Sequence, residues 1–347
     1  MKVKIGRRWI GEGEPCFIIA EAGSNHNGDI DHAKRLIEVA SCAGADAVKF
    51  QVFRADRLYS RGAGVSDYLK MPRPIYDIIA DLEMPYVWLS ELAAHCQKKD
   101  ILFLASVFDE ESADQLDPHV EAFKIASYEI THIPLVRYVA HKKKPVILST
   151  GTANLEEVVE IVDEFRRTGN GDLILMQCTA AYPAPLESLN VRAITTMRSR
   201  FGVPVGLSDH SRDPLVGPLA AVALGANVLE KHFTLSNESP GPDHRFAVEP
   251  AELGLMIRKV RELEKAMGSG EKVMNPIEAE LREFARRSIF AVRDIEAGET
   301  FSKGNIAILR CGNLKPYLEP KHFQDVLGKR AQRNIAAESA IQREDYA

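Results

Sequence analysis

Eight short apolar runs constrain the fold of this chain more than any other feature. They are FIIAEA (17–22), AVKFQ (47–51), ILFLAS (101–106), FKIAS (123–127), PVILST (145–150), DLILMQC (172–178), VPVGLS (203–208) and NVLEKHF (227–233). Each is brief, continuous rather than alternating, and bounded by Gly, Pro or a charge. That is the pattern of strands buried on both faces of a parallel sheet. Helical segments fall between them. DIDHAKRLIEVASCAG offers Asp29 or Asp31 as N-cap and stops at Gly44. NLEEVVEIVDEFRRTGN places acid early and base late, in the sense the helix dipole favours. PLVGPLAAVALGA is small and apolar throughout, as a helix pressed against a barrel would be. Eight strand–helix units within about 250 residues predict a (β/α)8 TIM barrel. A doubly wound sheet is the rival, but no G-x-G-x-x-G follows the first strand.

Between the second and third strands about fifty residues intervene, with Gly and Pro breakers around a short helix. Long loops in compact domains tend to be functional, so this one reads as a lid or rim. Beyond residue 270 the pattern changes. A linker over 271–285 follows the 1–270 barrel, and residues 286–347 carry an internal echo, RDIEAGETFSKGNI (293–306) against RNIAAESAIQREDY (333–346). A repeat this short predicts a small β-rich module with pseudo-symmetry.

Composition narrows the class. The net charge of −5 gives no reason to expect nucleic acid or an anionic membrane as partner. The N-terminus lacks the apolar core of a secretory signal, and no run is long enough to span a bilayer. Five scattered cysteines without C-x-x-C read as buried thiols in a reducing compartment, so a cytoplasmic location is expected.

Working residues of such a barrel stand at the C-terminal ends of its strands. Every predicted end is polar: Glu21; Lys49 and Gln51; Ser106 and Asp109; Lys124, Ser127 and Glu129; Ser149 and Thr150; Gln177, Thr179 and Tyr182; Ser208, Asp209 and His210; Glu230, Lys231 and His232. Lys49 and Lys124 lie inside apolar strands, where an ammonium is costly unless paired. They form structural ion pairs with Glu21 or Glu129, a Schiff-base lysine, or a clamp for a multiply charged anion. Ser106, Ser127 and Ser149 at neighbouring ends favour the clamp. His210 and His232 end consecutive strands, which makes them neighbours at the mouth. With Asp209, Glu230 and Asp243 nearby they suit Mn2+, Fe2+ or Zn2+. His26 is a weaker candidate because SNHNG reads as a turn. Histidines 32, 95, 119, 132, 141, 244 and 322 receive no role.

FIIAEAGSNHNGDIDHAKRLIEVASCAGADAVKFQ, FKIAS, LSTGTA, GLSDHS and EKHFTL…PGPDH together resemble the sialic acid synthase family, which includes N-acetylneuraminate, legionaminate and pseudaminate synthases and spore-coat polysaccharide relatives. The likeness runs from about residue 3 to 345, and the C-terminal module resembles the SAF (antifreeze-like) domain of that family. The resemblance implies a transferase that condenses phosphoenolpyruvate with an N-acylated amino sugar, giving a nine-carbon α-keto acid and phosphate. His210 and His232 match the family's Mn2+ ligands. Lys49, Lys124, Ser106, Ser127 and Ser149 would hold the phosphate and carboxylate of phosphoenolpyruvate, with Ser208 a further substrate-binding position. Glu21, Gln51, Glu129, Tyr182 and Asp243 would orient the sugar, with Glu21 or Glu129 as proton shuttle. Arg310 matches an arginine extended into a partner's site, which implies a domain-swapped homodimer.

The chain departs from the family pattern at Ala180, where an Asn is usual, at RCGN (310–313), and at SVF (106–108). A Schiff-base pyruvate aldolase using Lys49 or Lys124, and a non-catalytic sugar-acid-binding homologue, remain as alternatives. Choice of amino sugar is expected to lie in SNHNG and in SDYLKMPRP (66–74).

Overall fold

All eight expected strands form, and they close into one parallel barrel in the computed structural model, which describes residues 1–67 and 71–346. The strands are β1 (Phe17–Gly23), β2 (Ala47–Val52), β3 (Leu102–Val107), β4 (Phe123–Ile125), β5 (Val146–Ser149), β6 (Leu173–Cys178), β7 (Val205–Asp209) and β8 (Val228–His232). Each pairs with the next, and β8 closes on β1 with Val228 opposite Phe17 and His232 opposite Glu21. Alternation along each strand sorts side chains into two cores. Phe17, Ile19, Ala47, Leu104, Ile147, Ile174, Met176 and Val228 fill the barrel interior. Their neighbours, such as Ile18, Val48, Ala105, Leu175 and Leu229, pack against the outer helices. Burying each large aliphatic or Phe side chain stabilises by about 1.5–3 kcal/mol relative to exposure. An N-terminal hairpin (Lys2–Ile5 with Arg8–Gly11) adds Val3, Ile5 and Ile10 to the interior core, so it plugs the end where the strands begin.

The helix signals act as read. Asp29 caps Ile30–Ala43 by accepting from the N–H groups of Asp31 and His32, and Gly44 ends it at φ +88°. Asn154 and Glu157 form a capping box on Leu155–Arg167. Gly217, in Val216–Ala223, is required by contact: a Cβ there would lie 2.9 Å from Asp209 Oδ2. The long segment after β2, expected to form a lid or rim, is partly helical. It holds helices Ala55–Leu58, Ile75–Asp81 and Trp88–Lys98, and the last is an outer helix of the barrel that buries Leu89, Leu92 and Cys96. Residues 68–70 of SDYLKMPRP lie outside the described residues.

By internal contacts the chain divides into Met1–Gly268 and Ser269–Ala347. The second unit includes the helix Ala279–Ala285, then β9 (Arg287–Ala291) antiparallel to β10 (Ile306–Arg310). Its internal echo is a structural exchange. The backbones of Ile295 and Ile335 donate to each other's carbonyls at 2.8 Å. Asp294 Oδ1 accepts from Ala337 N–H at 2.7 Å, and Asn334 Oδ1 accepts from Ala297 N–H at 2.8 Å. Gly298 at φ +84° in one copy is matched by Glu338 at φ +64° in the other.

Candidate active site

Every barrel strand turns a polar side chain into the mouth: Glu21, Lys49, Ser106, Lys124, Ser149, Cys178, Ser208 and Glu230, in order from β1 to β8. All are buried, between 1 and 5% exposed. Lys49 Nζ lies 2.8 Å from Glu21 Oε2, donates to Ser106 Oγ at 2.9 Å, and sits 3.7 Å from Glu230 Oε1. Lys124 Nζ donates to Ser149 Oγ at 2.7 Å and to its neighbour's carbonyl, Ile125 O, at 3.1 Å, with Glu230 Oε1 at 3.9 Å. Ser208 Oγ donates to Glu230 Oε1 at 3.0 Å, and Gln51 Nε2 to Glu21 Oε1 at 3.1 Å. Ser127 Oγ accepts from Gly151 N–H at 3.1 Å, and a Cβ at 151 would lie 2.7 Å from that oxygen. The backbone there has no room for a side chain.

Burial and charge set the protonation of this group. Burial raises the Glu21 pKa to about 7 against the opposing pull of Lys49. Burial works against the Lys49 ammonium, but Glu21 and Glu230 outweigh it and its pKa ends raised. Lys124 has no such close carboxylate, and burial lowers its pKa. Glu230 would be raised by burial, yet Lys124 and Lys49 hold it below the ordinary carboxylate value, and its Oε2 has no hydrogen-bond partner among the described residues.

Beside this cradle stand the two histidines. Their ring centroids are 5.2 Å apart, at an interplanar angle of 77°. His210 Nδ1 lies 3.0 Å from the Thr179 carbonyl, to which it donates, leaving Nε2 with the lone pair. His232 Nδ1 is buried without a hydrogen-bond partner, 3.7 Å from Asp243 Oδ2. Burial lowers the His210 pKa to about 4 and takes that of His232 well below 6.5, so both rings are neutral at pH 7. Burial also raises Asp243 to about 6. Tyr182 stacks on His210 at 4.3 Å and meets His232 edge-on at 6.1 Å. Among the described residues no three His, Cys, Asp or Glu side chains converge as a metal cage.

Other expected residues take different places. Glu129 is half-buried, its side chain makes no hydrogen bond or ion pair among the described residues, and its pKa is raised to about 7 by burial alone. Arg310 is exposed at the end of β10, in the second unit, opposite Arg287. Asp209, expected near a metal, points to the outer face of β7 and pairs with Lys231 at 2.7 Å. Asp109 caps the helix Glu110–Leu116, Thr150 binds Met176 O, Gln177 binds Leu189 O and Thr179 binds Ser188 O. The sequence reading missed Cys178, whose Sγ lies 3.7 Å from His210 Nε2, and Phe246, whose ring lies 5.0 Å from that of His232. Strand parity marks Cys178 as inward; nothing local marks Phe246. A cavity of about 800 Å³ lies at the opposite end of the barrel, by Cys16, Arg198, Asn227 and Glu264, and no mouth residue lines it.

Fold and mouth define a (β/α)8 barrel protein with a cationic, hydroxyl-lined cradle beside a pair of neutral imidazoles. The chain belongs to the NeuB family, whose model matches residues 36–272, and carries a SAF domain over 286–347. It is a synthase of the transferase type. The spore coat polysaccharide biosynthesis protein SpsE of Bacillus subtilis, a solved structure, is 42% identical, with 100% of this chain and 99% of that one covered at a TM-score of 0.68. An N-acetylneuraminic acid synthetase from Leptospira borgpetersenii is 33% identical over 82% of this chain and 96% of its own, at a TM-score of 0.75. The N,N'-diacetyllegionaminic acid synthase of Campylobacter jejuni is 40% identical over 94% of this chain and 98% of its own.

Proposed function

We propose that the chain condenses phosphoenolpyruvate with an N-acylated amino sugar, N-acetylmannosamine or a 2,4-diacetamido-trideoxyhexose, to give a nine-carbon sialic-type α-keto acid and phosphate. The observation that carries this reading is the pair of buried ammoniums, Lys49 and Lys124, set among Ser106, Ser127, Ser149 and Ser208 in one mouth. Two cations and several small hydroxyls match an anion that bears both phosphate and carboxylate.

The donors present fit a divalent ion, Mn2+ in this reading. His210 and His232 would hold it, since both are neutral, His232 Nδ1 has no hydrogen-bond partner among the described residues, and His210 Nε2 meets only the weakly bonding Cys178 Sγ at 3.7 Å. Such an ion supplies Lewis acidity at the aldehyde oxygen of the open-chain sugar. Lys49 and Lys124 hold phosphoenolpyruvate so that its C3 forms the new bond to the aldehyde carbon. Water then adds at C2, and the C2–O bond breaks with both electrons leaving on phosphate, which takes the remaining C2-hydroxyl proton as the ketone forms. Glu21, with a pKa near 7, accepts the water proton and returns it to the sugar alkoxide. Gln51, Glu129, Tyr182 and Asp243 orient the sugar. In the same reading the protein is a homodimer whose exchanged SAF domains bring Arg310 to the second chain's sugar.

Phosphate release from phosphoenolpyruvate, across a panel of amino sugars with and without EDTA, tests the proposal. His232→Ala should abolish release and Mn2+ binding while the barrel stays folded; full activity in chelated buffer would remove the metal. Mixing Arg310→Ala with Lys124→Met chains should restore activity if the site is shared. One observation favours a second reading: the lowered pKa of Lys124 suits a Schiff-base lysine. Borohydride trapping of pyruvate on Lys124 would select that reading.

A further inference from the structure

Two motifs find no use in the cradle or at the imidazoles: SNHNG after β1, and PGPDH after β8. Ser24, Asn25 and His26 are buried rather than displayed to a ligand. Asn25 Nδ2 donates to Phe233 O at 2.9 Å, just beyond β8, and His26 Nδ1 accepts from Gly28 N–H at 3.1 Å. Asn27, at φ +51°, aims its Oδ1 at His244 Nε2, 3.2 Å away. The other ring nitrogen of His244 lies 2.6 Å from Thr234 Oγ1. His244 and Thr234 are both fully buried, and burial lowers the His244 pKa. The neutral ring therefore donates from Nε2 to Asn27 and accepts at Nδ1 from the Thr234 hydroxyl.

The backbone closes tightly on this ring, since a Cβ at Gly241 would lie 2.7 Å from His244 Cδ2. Asn237 braces the same loop, its Nδ2 donating to His244 O at 2.5 Å and to Ala247 O at 2.8 Å. The residue before His244 is Asp243. Its Oδ2 lies 3.7 Å from His232 Nδ1, and would be 3.1 Å from a Cβ on Gly23. The loop that carries Asp243 is thus fastened to the β1 loop at one neighbouring side chain.

We propose that Asn27, His244 and Thr234 form a latch that joins the β1 and β8 loops and sets the Asp243 carboxyl in the mouth. His244 is a positioning residue that acts through Asp243. Its consequence for substrate rests on the reading of Asp243 as a group that orients the amino sugar.

Hydrogen exchange and kinetics on the full-length protein test the latch. Asn27→Gly tolerates the positive φ and removes only the acceptor; Asn27→Asp keeps it. Amides of 236–247 should exchange about 10-fold faster in Asn27→Gly and His244→Ala, with Asn27→Asp like wild type. In turnover, His244→Ala should raise the amino-sugar KM about 10-fold with little change in kcat or in the phosphoenolpyruvate KM. Asp243→Ala should do the same, and the double variant should be no worse than either alone. Unchanged exchange overturns the latch whatever the substrate. Multiplying KM effects overturn the route through Asp243, as does an unaffected KM in Asp243→Ala. Faster exchange in these two variants, together with a wild-type protein that releases no phosphate, supports the latch and removes the proposed function instead.

Discussion

Adjacent residues of β8 belong to two lysine–carboxylate systems on opposite faces of the barrel wall: Lys231 with Asp209 of β7 outside, and Glu230 with Lys124 of β4 and Lys49 of β2 inside. On the outer face, Lys231 Nζ lies 2.7 Å from Asp209 Oδ2, 2.5 Å from Ser211 O, 2.9 Å from Asp213 O and 3.3 Å from Ser211 Oγ. Every ammonium proton has an acceptor, and the carboxylate also takes Ser211 N–H at 2.8 Å. On the inner face, Glu230 leaves Oε2 without a partner, and Lys124 meets its nearest carboxylate oxygen only at 3.9 Å. Equal burial therefore does not mean equal purpose. The closed network ties the loop after β7 to β8, whereas the open one keeps capacity for a ligand.

The outer pair offers the largest test. Lys231→Met strands Asp209 and should cost about 3–5 kcal/mol of stability. Lys231→Met with Asp209→Val should recover part of that loss by denaturant melting. A stable single variant would break the division. Next, Lys124→Met should leave the melting temperature unchanged or raised, because burial already works against this ammonium. The same change should lower kcat/KM for phosphoenolpyruvate about 30- to 1,000-fold, equivalent to about 2–4 kcal/mol. A loss of stability there would make the inner lysine structural too.

A smaller effect concerns pH. Glu21 has its folded pKa raised from 4.5 to about 7, so the folded chain binds this proton more tightly than the unfolded chain. The resulting stabilisation is complete below about pH 4.5 and is lost as pH rises through 7. Glu21→Gln, compared with wild type in EDTA, should flatten the stability profile between pH 4.5 and 7; an unchanged slope would place the titration elsewhere. Smallest of all, and remote from both faces, Glu338→Gly relieves a left-handed backbone and should stabilise by about 0.5–1 kcal/mol in thermal melts. If it destabilises, the exposed turns of the second unit are not equivalent.

Strand number, order and the polar ends were legible because buried parallel strands read as unbroken apolar runs and strand ends carry the chemistry. Parity would have sorted the ends further. In VLEKHF, Glu230 and His232 share a face and Lys231 takes the other, so Asp209 and His210 divide likewise. The N-terminal hairpin was not legible, because KVKI and RWIG are too short to stand out. Phe246 and the Asn27–His244 contact depend on loops that meet across the closure of the barrel, a tertiary fact with no local signal.

The mouth draws at least one group from every strand, and this gives the barrel a property beyond chemistry. A slip of one residue in any strand would turn its contribution outward and bring a neighbour in. Glu230 would give way to Lys231 or Leu229, and Lys49 to Val48 or Phe50. The cradle is therefore also a register gauge. Affinity for its ligand reports whether all eight strands have closed in step, and a bound ligand would select the correctly closed barrel over every slipped one.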